Sequence, residues 1–477
     1  MDDTGSGRTV GYEWKAVTLL ALGFGLVGLD RWLVAPLVPS IARDLHLTGQ
    51  DIGNMLGMLG LSWGVFAIFV GTVADRVGRR WVVIPSLLLF SIMCGATGTV
   101  TVIAAMLLIR AAMGATEGAY IASAVAATGD AAAPKRRGLS QGLMLSMFPL
   151  FGFGLGPILA TQVEAATNSW REVFFFASIP GVVIALGLFL VLKEPKQLGL
   201  PTQEKPTAAG LGAFGAIALA AALVAGGYFV LQSKSIELIG GVFGAALVVT
   251  FVAGGMWLKS YNVLIGMALL VCAMSCVFVL GGFYPDYLQR YLHVGPVQAG
   301  LVMSALGIGG FSGGFLGGAA SDHLGRKITT TLCFIGAAGS VYLLIHLGDS
   351  FWATHAQGLA ANAAPVDLGD QFWVFYGALF LVSVFTFGVL AVMTGPVPTE
   401  GVSPTMIAAA VGLVSGTGEI FGAGVGPPLA GYVADKYGIQ NILNVGLVGV
   451  IIGILVSLFL RETAPRKLAA AASSERH

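Results

Sequence analysis

Charge is what this sequence has least of. Asp, Glu, Lys and Arg make up 10% of the 477 residues, against about 25% in soluble domains. A soluble enzyme is excluded on that ground, and no catalytic motif appears along the chain. The net charge of +1 gives no basic excess, so no nucleic acid is expected as a partner. Cysteine is scarce. Cys94, Cys272, Cys276 and Cys333 all lie in apolar runs, where they read as core filling, and neither a disulfide nor a metal site is indicated. Histidine is scarce too, at six residues, and none lies deep in an apolar run. Any proton carrier inside those runs must then be a carboxylate. His346, Asp349, His355, Asp367 and Asp370 gather around the loop 348–370, but irregularly, as a solvated loop would have them. No metal and no cofactor is expected. The N-terminus MDDTGSGRTVGYEWK is polar and lacks signal-peptide form. The tail RETAPRKLAAAASSERH reads as a disordered end.

What fills the chain instead is apolar sequence, at 56% hydrophobic residues with 69 glycines and no collagen period. Small residues serve close helix packing in membranes. A span needs about 20 apolar residues. Fourteen stretches qualify: 16–38, 52–74, 81–98, 101–127, 139–163, 172–192, 208–231, 236–258, 262–283, 297–320, 328–347, 371–395, 405–433 and 441–460. Charge placement orients them. With the N-terminus inside, the inner loops hold Arg76, Arg79, Arg80, Lys135, Arg136, Arg137, Lys193, Lys196, Lys205, Lys259, Arg326 and Lys327. The outer loops hold only Arg43, Arg171, Lys234, Arg290 and Lys436. That bias follows the positive-inside rule, and an even count returns the C-terminus to the inside. A bacterial cytoplasmic membrane is the expected location, with the lipid bilayer as an obligatory partner.

The chain also repeats itself. GTVADRVGRR (71–80) follows the second span and GGAASDHLGRK (317–327) the tenth. FGFGLGP (151–157) lies in the fifth and FGAGVGP (421–427) in the thirteenth. Each phrase takes the same place in a six-span half if spans seven and eight are an insertion. The expected fold is an all-α polytopic membrane protein: two six-helix halves related as parallel repeats, with an extra two-helix hairpin between them. The divisions are a cytoplasmic tail 1–14, a first half 15–193, a linker with the hairpin 194–260, a second half 261–462 and a cytoplasmic tail 463–477. A monomer is expected, with a dimer contact through the hairpin as the alternative.

These features resemble the major facilitator superfamily. Its signature G-x-x-x-D-R-x-G-R-R/K reads here as Gly71, Asp75, Arg76, Gly78, Arg79 and Arg80. The second copy reads Gly318, Asp322, Gly325, Arg326 and Lys327, with His323 in place of the usual Arg. The resemblance implies a gate built from Asp75, Arg76, Arg79, Arg80, Asp322, Arg326 and Lys327. Elementary chemistry agrees. A glycine permits the tight turn, and an Asp at a helix end can hold an Arg from a neighbour through a bond that breaks as the halves rock. Topological anchoring by positive charge is compatible with that role.

Five charges fall well inside spans: Asp30, Arg31, Arg110, Glu117 and Glu419. Intramembrane ionisable residues are expensive and are functional candidates by default. Arg110 and Glu117 stand seven apart, on one face of a helix. Asp30 and Arg31 point about 100° apart, so they need not pair with one another. The economical arrangement sets spans one and four around a common cavity with two acids and two arginines. An arginine fork there suits a carboxylate, and an acid in low dielectric readily holds a proton. A static buried salt-bridge network is the alternative, although apolar packing can replace such a network.

GLDRWLVAPLVPSIARDL and IRAAMGATEGAYIASA resemble the first and fourth helices of the anion:cation symporter family. The resemblance implies that Arg31 meets a substrate anion and that Glu117 couples a proton, with Asp30 as a second proton site and Arg110 as its partner. Trp32 departs from that family's small or polar residue, and fourteen spans exceed its usual twelve. Spinster-like lysolipid transporters carry a similar acid–arginine arrangement. Tyr284 and Tyr287, around Pro285, are candidates for substrate contact or for an interface belt. Tyr120 stands three after Glu117. Trp32 could stack on an aromatic ligand or simply pack. Glu419 is a third candidate proton site, with no role implied by the resemblance. The expected function is proton-coupled symport of a small organic anion, such as a sugar acid or aromatic acid, by alternating access. The alternative is a proton-coupled exporter of lysolipids or amphipathic drugs.

Overall fold

The computed structural model describes residues 9–133, 137–194, 260–356, 364–402 and 407–464, with a few single positions outside them. Twelve helical rods run through the described residues. The first half holds α1 (Val10–Leu45), α2 (Gly49–Val77), α3 (Arg80–Thr97), α4 (Ile103–Ala131), α5 (Arg137–Pro149, Leu150–Leu155 and Gly156–Thr167) and α6 (Trp170–Val191). The second holds α7 (Tyr261–Tyr291), α8 (Pro296–Leu324), α9 (Arg326–Ala356), α10 (Phe372–Thr394), α11 (Ile407–Thr417, Gly418–Ala423 and Gly424–Tyr437) and α12 (Ile442–Ser457). Nine of them are long and apolar enough to cross a membrane on those grounds alone. The expectation of fourteen spans is thus met only in part. The hairpin placed at 208–231 and 236–258 lies outside the described residues. Of the described rods, α4 is one that misses the apolar threshold, and it carries Arg110 and Glu117. A helix that faces protein instead of lipid tolerates that polarity.

Burial sorts the rods. The apolar window of α1 is 83% buried and that of its counterpart α7 72%, whereas those of α6 and α12 are 28% buried. α1 and α7 therefore form the centre, and α6 and α12 form the rim. On α6 the exposed Phe176, Ile179, Val183, Leu186 and Leu190 recur every three to four residues. They make one lipid-facing stripe. Across the divide α2 packs on α11, and α5 packs on α8. The second contact is backbone on backbone: a Cβ at Gly307 of α8 would fall on the main chain of Gly154.

Symmetric breaks also mark the repeat. Each fifth helix of a half widens into a π turn, at Leu150–Leu155 in α5 and Gly418–Ala423 in α11. These segments overlap the repeated FGFGLGP and FGAGVGP. The turns after α2 and α8 are made by Gly78 at φ 107° and Gly325 at φ 101°, conformations that favour glycine.

Candidate functional site

All five intramembrane charges are buried, each at 5% exposure or less. Arg31 leaves α1 and crosses to the other half. Its Nη2 donates to Oε2 of Glu419 at 2.8 Å. The π turn of α11 carries that carboxylate. The guanidinium lies over Phe278 of α7 at 4.4 Å and within 5.8 Å of the Trp63 ring. Arg31 Nη1 has no hydrogen-bond partner among the described residues.

Behind this pair sits a second cluster, wholly within the first half. Arg110 Nη1 donates to the main-chain carbonyl of Asp30 at 3.4 Å, a long bond. Its Nε and Nη2 find no hydrogen-bond partner among the described residues. Among the described residues, neither carboxylate oxygen of Glu117 accepts a hydrogen bond, nor does Oδ1 of Asp30, whose carboxyl group neighbours the Cys94 thiol. Glu117 is within electrostatic reach of Arg31, Asp30, Arg110 and Glu419. The expected convergence of α1 and α4 on one polar centre is present. Its strongest bond, however, runs to α11.

Arg31, Trp32, Met55, Leu56, Leu59, Arg110 and Phe278 line a cavity of about 10 Å³ between the halves. That is room for about one water. Around it the aromatic rings continue. Trp32 packs on Phe153 at 4.3 Å and on Phe278 at 5.1 Å, and Phe153 meets Phe387 edge-on at 6.1 Å. The centre is therefore a closed aromatic wall with one ion pair set in it.

The three tyrosine candidates lie elsewhere. Tyr120 donates its hydroxyl to the Leu20 carbonyl at 2.9 Å and meets Phe90 edge-on, inside the first half. Tyr284 stacks on Tyr287 at 5.6 Å, and the Tyr287 hydroxyl reaches Gly348 of α9. None of the three lines the cavity in this state.

The signature residues form two equivalent clusters. Arg79 is ion-paired with Asp130 at the end of α4. Arg326 is paired with Glu400 at 2.8 Å, just beyond α10, and with Asp322 at 2.7 Å. The main chain of Arg80 donates to Glu194 at 2.9 Å, and that of Arg326 to Glu462 at 2.8 Å. Arg80 also reaches the Phe189 carbonyl, and Lys327 Nζ the Leu458 carbonyl at 2.6 Å. The side chains of Asp75 and Arg76 lie outside the described residues. Sequence reasoning missed Asp130, Glu194, Glu400 and Glu462. For two of them a signal existed: LKE (192–194) and LRE (460–462) close the sixth helix of each half.

A family model described as Major Facilitator Superfamily matches residues 20–271 and 266–477. The chain is 26% identical over 183 residues to the Quinolone resistance protein NorA of Staphylococcus aureus, a match spanning 38% of this chain and 46% of that protein. It is 25% identical over 362 residues to the Multidrug efflux protein YfmO of Bacillus subtilis, 71% of this chain and 88% of that one. Among solved structures it superposes with a TM-score of 0.66 at 17% identity on a bacterial homolog to the human lysosomal transporter Spinster, crystallised inward-facing and occupied, over 95% of this chain and 97% of that one. The unoccupied form of that homolog gives a TM-score of 0.61 at 16% identity, over 95% of each chain. The named sequence relatives are resistance and efflux proteins. The narrower expectation of an anion:cation symporter finds no support among them.

Proposed function

We propose that this chain, which belongs to the Major Facilitator Superfamily, exports small amphipathic molecules in exchange for protons. The observation that carries this reading is the Arg31–Glu419 ion pair set in a wall of Trp32, Phe278, Phe153 and Leu56. A symporter of small anions needs its arginine fork free for the carboxylate of the substrate. Here Glu419 already holds one prong of that fork and neutralises its charge. An amphipathic molecule instead gains by laying its apolar body on the aromatic wall and its polar end on one member of the pair. The names of the efflux relatives favour the same class.

The pair also supplies a coupling step. A proton on Glu419 removes the negative partner and weakens a bond that joins the two halves. The centre then opens around its aromatic wall, and Arg31 turns toward Glu117 and Asp30 in its own half. For exchange the substrate and the proton take turns on the opened pair. The polar end of the arriving substrate replaces the proton on Glu419, and a proton from the far side later displaces the substrate. Loss of that proton restores the pair. The positive-inside bias of the loops supports cytoplasmic termini, and export would then run from that side.

The test is flux in proteoliposomes. With an acidic lumen, a fluorescent amphipathic dye added outside should accumulate while the lumen turns alkaline faster than without dye. A proton ionophore, which dissipates the gradient by itself, should abolish the accumulation. Uptake of sugar acids or aromatic acids driven by an acidic exterior, without dye flux, would overturn export and restore anion symport.

A further inference from the structure

The phrase GYVADKYG (431–438) at the end of α11 is a third copy of the pattern in GTVADRVG (71–78). Gly431, Asp435 and Gly438 stand where Gly71, Asp75 and Gly78 stand, and where Gly318, Asp322 and Gly325 stand in α8. The turn is the same, with Gly438 at φ 90°. Its place is not. The first two copies end α2 and α8 at one end of the molecule. The third ends α11 at the opposite end, beside the start of α2.

The partners differ too. Gly78 and Gly325 rest against Glu194 and Glu462 of their own halves. Asp435 reaches into the other half. Its Oδ1 accepts from the main-chain N–H of Gly49 at 2.7 Å, and its Oδ2 from that of Gln50 at 2.8 Å. These are first-turn donors of α2, which no residue of the helix itself can satisfy, and a carboxylate is favoured there by the helix dipole. Gly431 allows the approach, since a Cβ on it would meet the Gly49 carbonyl. Further bonds join the halves at this end: Gln50 Nε2 to the Pro428 carbonyl at 3.3 Å, and Gln289 Nε2 to the Pro36 carbonyl at 3.1 Å.

We propose that Gly431, Asp435 and Gly438 form a latch between the halves, and that Asp435 sets how readily this end of the transporter opens. Helix α2 does not need Asp435 in order to start. Thr48 and Asp51 already cap it from within, with Thr48 N–H donating to Asp51 at 3.0 Å and Asp51 N–H to the Thr48 hydroxyl at 3.1 Å. The Gly49 and Gln50 amides that Asp435 takes are exposed and pass to water when it withdraws, so this second acid is specific to the closed arrangement. Lys436 is turned away, onto the Tyr432 hydroxyl at 3.0 Å, and leaves the carboxylate to the two amides. Asp435 is a positioning residue. It touches no cavity residue and acts through the relative placement of α2 and α11.

The inference rests on alternating access by the two halves and not on the identity of the substrate. Spin labels at Ala166 and Ser350, exposed positions at this end in different halves, report the opening as a distance distribution, with the native cysteines replaced. Loss of a cap of this kind shifts an equilibrium about 3- to 30-fold. D435A should raise the long-distance population by that factor. D435N, which keeps one acceptor oxygen and turns an amide N–H toward the second donor, should fall between D435A and the unmodified chain. Should D435A fold poorly, G431A applies the same test by wedging the latch apart, and it should also favour the long distance. Folded D435A and G431A proteins with an unchanged distribution would overturn the latch. A chain locked at one distance under every condition would sink alternating access and the latch together. A shifted distribution without any dye flux would leave the latch standing and count only against amphiphile export.

Discussion

Two opposite charges 2.8 Å apart, with side chains 4% and 6% exposed, behave unlike a surface pair. Water does not screen them, and removing one leaves the other buried without compensation, at about 3–5 kcal/mol. E419Q should therefore lower the thermal unfolding temperature in detergent. R31M/E419L, which removes both charges, should recover most of that loss while abolishing proton-driven dye flux. A double variant destabilised by the sum of the R31M and E419L losses would show that the two groups are not coupled. R31K tests the fork itself. Lysine keeps the charge but not the plane that lies on Phe278, so dye flux should fall by about tenfold, the equivalent of roughly 1.4 kcal/mol of lost stacking and bonding. A flux equal to that of the unmodified chain would reduce Arg31 to a point charge. The five charges well inside the expected spans could be named from the sequence, because a charge in an apolar run announces itself, whereas the buried Asp286 near the end of α7 was not. The partner of Arg31 could not. Helical period relates Arg110 to Glu117, but nothing periodic relates residues 388 apart in sequence. That pairing is decided by how the halves meet.

At the scale of single helices, the contacts across the divide depend on residues without side chains. On α8, a Cβ at Gly307 would overlap the backbone of Gly154 in α5, whereas Gly314 on the same helix has nothing within 4 Å of that position. G307A should force α5 and α8 apart, at about 1–3 kcal/mol for such overpacking. It should lower the yield of folded protein and the dye flux together. G314A should leave both unchanged, and equal behaviour of the two variants would show that the α5–α8 contact is not tight in the working protein. The glycine-rich repeats did announce that α5 and α11 are equivalent. They did not announce the π turns at Leu150–Leu155 and Gly418–Ala423. One extra residue in a turn leaves no periodic trace in a run of small apolar residues. The widened turn in α11 is nonetheless what presents Glu419 to Arg31, so the least legible feature of that helix carries its most consequential side chain.

At the scale of the molecule, the repeat of motifs made the two halves legible, and the positive loops suggested their orientation. Which end is closed has no such signature, because it is a state of the fold and not a property of any segment. In this state the centre offers about 10 Å³, whereas pockets for drug-sized ligands span about 300–1,000 Å³. A ligand of that size cannot enter without separation of the halves, so its apparent affinity is the intrinsic affinity reduced by the fraction of molecules already open. The Asp435 latch then becomes a control on binding at a distance. If the dye enters through the latched end, D435A should tighten its apparent Kd in detergent by the same factor by which it raises the long-distance population, without any change at the cavity wall. Trp32→Ala should behave in the opposite way. It should weaken binding by removing the aromatic surface while leaving the distance distribution as it was. A Kd indifferent to D435A, measured on a protein whose distances have shifted, would mean that the dye enters from the end bearing the doubled signature or sideways between helices. The latch would then govern release instead of entry.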